Sequence, residues 1–156
     1  MLNYCISMSM SWGILGSRNH LTKQIIQDKI LTPILHDVGS MPSEIILPSE
    51  PLSSSYIECW AIRNEIPVTM KKSNWVQYGK KAGILRDAEI QKEAGILIVF
   101  EGPRSRFYLT LAERLLRKNP FRRIYVVESK SVSPILLEIE TKYMIQDEEE
   151  EDILRV

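Results

Sequence analysis

The 156-residue sequence predicts an α/β fold with a mostly parallel sheet covered by helices on both faces. Three observations carry that expectation. Ile96-Leu97-Ile98-Val99-Phe100 is an unbroken apolar run between Gly95 and Gly102, which reads as a strand buried on both faces. Strand patterns alternate with helical patterns along the chain, as crossovers between parallel strands require. The length suits one layered core.

The chain divides into an N-terminal extension at 1–11, a domain at 12–146 and an acidic tail at 147–156. Ser11-Trp12-Gly13-Ile14-Leu15 reads as the first strand, ended by Gly16-Ser17-Arg18-Asn19. A helix follows from His20, because Leu21, Ile25, Ile26, Ile30, Leu31, Ile34 and Leu35 recur at three- and four-residue steps. Pro33 predicts a kink or a late break in it. Glu44–Leu47 is a second strand. Pro48–Ser55 is a loop whose serines are candidate caps for the next helix, which has Tyr56, Ile57, Trp60 and Ala61 on its apolar face. Ile66–Met70 is a third strand, with Pro67 near its start. A basic loop at 71–83, a helix at 84–93 and the central strand at 95–100 come next. A helix at about 105–118 stops at Asn119-Pro120. Arg122–Val127 is a fifth strand and Ile135–Ile139 a sixth. The whole is a Rossmann-like three-layer sandwich.

Lys+Arg 20 balances Asp+Glu 20, so the net charge singles out no partner. The acids are unevenly spread, with Asp-Glu-Glu-Glu-Glu-Asp at 147–152 reading as a solvated tail outside the fold. Cys5 and Cys59 lack ligand spacing and are expected unbonded, in a reducing cytoplasmic setting. His20 and His36, on one predicted helix, are too far apart to pair on a metal, and no metal or cofactor is expected. No apolar stretch approaches the ~20 residues that span a bilayer. Residues 1–12 have neither the basic flank nor the apolar core of a signal peptide.

Three constellations are candidate sites. In Gly16-Ser17-Arg18, glycine permits close approach to a ligand, helix-start amides attract phosphate and Arg18 can clamp it. The same residues also make an ordinary strand-to-helix turn. In the basic loop, Trp75 and Tyr78 offer flat faces, while Lys80, Lys81 and Arg86 offer charge around Gly79 and Gly83, with Arg86 expected in a helix's first turn. A core Trp75 with solvated lysines is the plainer alternative. After the central strand, Glu101 can accept hydrogen bonds from a ribose, and Gly102, Ser105 and Arg106 can meet phosphate. Ser105 can equally cap the next helix, and Glu101 can pair with an arginine. In open α/β sheets, ligands bind at the carboxyl ends of strands. Gly16, Arg18, Lys80, Arg86 and Arg106 are therefore expected to converge there, with Glu101 as the nearest internal counter-charge. No P-loop, GxGxxG or Ser/His/Asp arrangement is present.

At these residues the sequence resembles the YspA-like branch of the SLOG superfamily, which includes the DNA-processing protein A family and the "Lonely guy" phosphoribohydrolases. The likeness runs over roughly 12–127. It rests on Gly16-Ser17-Arg18, on Trp75 with Gly79, Lys80, Ala82, Gly83 and Arg86 followed by Asp87 where the pattern has asparagine, and on Gly102, Ser105 and Arg106. Two departures stand out. The glycine-rich loop after the second strand is replaced by Pro48-Ser49-Glu50-Pro51-Leu52-Ser53, in which Glu50 would repel a phosphate. A Gly-Thr pair is replaced by Phe107-Tyr108.

The resemblance implies a nucleotide or ADP-ribose-type ligand-binding protein, a sensor or sequestering module for a phosphate-bearing small molecule. One alternative is a phosphoribohydrolase-like enzyme in which Arg86 holds phosphate and Glu101 or Glu113 assists, Thr110 and Glu113 imitating the family's catalytic spacing. Another is a non-catalytic module with a degenerate pocket that meets protein or nucleic acid. A homo-oligomer is left open, and no membrane partner is expected.

Overall fold

The apolar run forms strand β4, Ile96–Phe100, inside a six-stranded sheet. The computed structural model describes residues 10–102 and 106–138. The other strands are β1 (Trp12–Leu15), β2 (Ile45–Pro48), β3 (Val68–Lys71), β5 (Arg123–Val127) and β6 (Ile135–Leu136), in the order β3-β2-β1-β4-β5-β6. The first five run parallel, and β6 pairs antiparallel with β5 through Tyr125↔Leu136 and Val126↔Ile135. β4 is paired on both sides, with Ile98 opposite Ile14 and Tyr125. Ile98 is fully buried, as its place in an apolar run requires. Ile139, expected in the last strand, lies outside the described residues, as do Cys5 and the acidic run.

Two cores sandwich the sheet. On one face Trp12, Ile14, Ile45, Ile98 and Phe100 meet helix α1 (23–38) and helix α2 (Leu52–Arg63). Trp12 of β1 stacks on Trp60 of α2 with ring centroids 6.0 Å apart. On the other face Leu15, Ile46, Leu97 and Val99 meet Ile90 of helix α4 (Ala82–Glu93) and Ala112 and Leu116 of helix α5 (Phe107–Lys118). A short helix α3 (Trp75–Tyr78) precedes α4. Each fully buried Ile or Leu contributes about 1.5–3 kcal/mol relative to exposure. Gly13 lets α4 lie close on β1, since a Cβ there would fall 2.5 Å from that of Ala94.

Several local expectations are corrected. Pro33 does not break α1, which runs on to Val38. The preceding turn, Ile26–Leu31, is π-helical, with the Thr32 N–H donating to the Gln27 carbonyl. The Thr32 hydroxyl donates to that same carbonyl at 2.9 Å. Pro33 thus stands at the start of a fresh α-helical stretch, where a missing N–H is tolerated. No serine caps α2; its N-cap position is Pro51. The basic loop is partly helical, with α3 capped by Asn74 and a 3₁₀ turn at Gly79–Lys81. His20 stands in the turn before α1 rather than on the helix. Cys59 is a free thiol, exposed on α2.

Candidate functional site

Strand β1 lies between β2 and β4, so the chain leaves the sheet toward opposite faces after β1 and after β4. A crevice opens at the carboxyl ends of strands where the order reverses in this way. Gly16 ends β1 with φ 75°, and a Cβ there would stand 2.2 Å from the carbonyl oxygen of Phe100 at the end of β4. Only glycine fits that contact and that dihedral. Between these ends lies a cavity of about 260 Å³. Of the expected site residues, Gly16, Ser17, Arg86 and Gly102 line it, joined by Phe100, Pro51 and Tyr108. The volume falls just below the ~300–1,000 Å³ common for small-molecule sites.

Arg86 governs the charge here. Because α4 begins at Ala82, Arg86 stands in its second turn, where the helix amides help an anion less than the expected first turn would. A guanidinium has five N–H donors. Nε and Nη2 donate to Asp87 Oδ1 at 3.1 and 3.0 Å. Nη1 donates to Glu50 Oε2 at 2.6 Å and to Ser73 Oγ at 3.0 Å. Among the described residues, one N–H on Nη2 has no acceptor. Asp87 is buried and its second oxygen accepts from the Tyr108 hydroxyl at 2.8 Å. Burial disfavours the Arg86 charge, but Asp87 and Glu50 outweigh it and hold the group above its ordinary pKa. Burial, then the Asp87 charge and hydrogen bond, push the Tyr108 phenol upward.

Glu50 is the other half of this lock. Partial burial pushes its carboxyl up, yet backbone N–H donors at Ser73 and at Glu50 itself, the Ser73 side chain and the Arg86 charge prevail. The carboxyl titrates at about 2. A depressed acid stabilises the fold fully above its ordinary value of 4.5, and that contribution is lost as pH falls through about 2. Glu50→Gln should therefore flatten the acid limb of stability in that window. Urea denaturation across it checks this, and an unchanged acid limb would show that the pair contributes nothing.

The other expected residues that are described do not line this cavity. Arg18 is buried, and its guanidinium reaches over to the loop after β5, where Nη1 donates to the carbonyls of Glu128 at 2.6 Å and Ser131 at 3.1 Å. Nη2 lies 3.2 Å from His20 Nε2, and Nε is buried without a partner. Desolvation lowers the Arg18 pKa against the opposing pull of Glu101. Glu101 is nine-tenths buried and its charge favours the charged Arg18; among the described residues the ion-pair partners of Arg86 are Glu50 and Asp87. Lys80 and Arg106 are exposed, and a methyl added at Gly83 would meet Trp75 at ordinary contact distance. Trp75 and Tyr78 are half exposed, so neither is core. Ser105 lies outside the described residues. Phe107 is turned to a groove between α4 and α5, so Tyr108 narrows the crevice. Thr110 lines that outer groove, and Glu113 lines neither space.

Among the described residues, no His, Cys, Asp and Glu cluster could hold a metal ion, and no helix is long and apolar enough to cross a membrane. Compared with known proteins, the chain matches no family model, and no curated protein or solved structure is significantly similar to it.

Proposed function

We propose that the chain is a YspA-like member of the SLOG superfamily. It binds a small nucleotide or ADP-ribose-type molecule in the crevice between β1 and β4, without catalysis. One observation carries the reading: Arg86 lines this crevice beside the tight Gly16-Ser17 turn, with one N–H that no described residue accepts. A ligand phosphate would take the place of the Glu50 carboxylate on Nη1 and meet that N–H of Nη2. The cavity takes a sugar phosphate; a base would extend outward. The phosphoribohydrolase reading is weaker, because Glu101 and Glu113 do not line the cavity. The exposed Cys59 thiol fits a reducing, cytoplasmic setting.

The Arg86 pairing also favours a second reading. Two carboxylates already engage one guanidinium, which suits a non-catalytic interaction module with a degenerate pocket. Calorimetric titration of ribose 5-phosphate, nucleoside monophosphates and ADP-ribose separates the two. Arg86→Ala should weaken binding about 10- to 100-fold, the worth of a charge-assisted hydrogen bond. Glu50→Gln should tighten it. If neither the wild type nor Glu50→Gln binds any of them, the ligand-binding reading fails and the interaction module stands.

A further inference from the structure

The opposite end of the sheet carries different chemistry. Two clefts, of about 640 and 480 Å³, open at the amino ends of the parallel strands. They share Phe121, Arg122 and Arg123, in and after the turn from α5 to β5. Phe121 is 97% exposed. The backbone that carries it is held: the Phe121 N–H donates to Asn119 Oδ1 at 3.2 Å, and the Arg122 N–H donates to the Asn119 carbonyl at 3.0 Å. Arg122 Nη2 donates to the carbonyls of Gln91 and Ala94, bracing the turn against the end of α4. Lys92 lines the wider cleft and Lys118 ends α5, both exposed. No ion pair among the described residues engages Lys92, Lys118, Arg122 or Arg123. Among the described residues, the one carboxylate lining either cleft is Glu138.

We propose that this face binds single-stranded nucleic acid, with Lys92, Lys118 and Arg123 tracking the phosphates, Arg122 bracing the turn, and an unpaired base stacking on Phe121. An exposed ring on a braced turn between cations is what a flat base uses and what an acidic peptide does not need. A paired base keeps its faces stacked within the duplex, so single strands are preferred. The chain has no net charge, so the attraction is local to this face. It lies at the far end of the sheet from the crevice and does not depend on the ligand proposed there.

The test is fluorescence anisotropy of the full chain with labelled oligo-dT and oligo-U, a duplex of equal length and polyglutamate as competitor. The wild type should bind the single strands. Phe121→Ala should weaken them about 5- to 100-fold, as loss of one stacking platform does. Each of Lys92→Gln, Lys118→Gln and Arg123→Gln should reduce the slope of log K against log salt by about 0.7. Thermal melts of these surface variants should match the wild type. Failure of the wild type to bind, an unaffected Phe121→Ala, equal affinity for the duplex, or equal competition by polyglutamate would each overturn the proposal.

Discussion

Asp87→Ala is expected to lower the melting temperature by about 6–12 °C, since about 3 kcal/mol is lost when one partner of a buried ion pair is removed. Asp87 is 5% exposed and accepts from Arg86 through one oxygen and Tyr108 through the other. Alanine strands the Tyr108 hydroxyl and leaves Arg86 with only Glu50 as counter-charge. The remaining Glu50 keeps the loss at the lower end of the range. Asp87→Asn separates shape from charge. Its carbonyl oxygen still accepts from Arg86, and its amide can donate to the Tyr108 oxygen, which rotates its proton away. Asparagine should therefore retain most of the stability. Differential scanning calorimetry of both variants decides it: equal losses would show that charge, not the hydrogen-bond geometry, holds the pair.

Gly16→Ala should cost about 2–5 kcal/mol, combining left-handed backbone strain of about 1–2 with overpacking of about 1–3. The added methyl would meet the Phe100 carbonyl oxygen at 2.2 Å, a backbone atom that no rotamer change can remove. Relief requires the ends of β1 and β4 to part, which opens the crevice floor. Chemical denaturation gives the stability, and a wild-type melt would mean the loop after β1 adopts another path. Gly102→Ala is the control, because a methyl there meets nothing within 4 Å.

The sheet was readable because its signals are local. The β4 run has no polar interruption, and Asn119-Pro120 ends α5 where the chain must turn. Two-residue β6 was readable as a strand but not in direction, since Ile135-Leu136 has no pattern that distinguishes antiparallel from parallel pairing. Gly16, Ser17, Arg86 and Gly102 were legible as crevice residues through glycines beside charge. The partners of Arg86 were not. Glu50 is 36 residues away and in the sequence signals only repulsion of an anion, whereas it occupies the arginine itself. Arg18 misled for the same reason, because its carbonyl partners lie 110 and 113 residues on. Tyr108 carried one signal, a bulky residue where the resembled pattern has room, and it points to the narrowing found.

The two outer strands decide how this molecule can meet others of its kind. β3 has four residues, follows Pro67 and runs into Lys71 and Lys72; β6 has two and follows Pro134. Short margins fenced by proline and lysine are poor templates for another chain's backbone. Growth by adding strands, the route to continuous sheets and to fibres, is thus discouraged at both borders. Among the described residues, the sheet borders thus favour contacts made by side chains on the helical layers, which surface substitution can tune without touching the sheet.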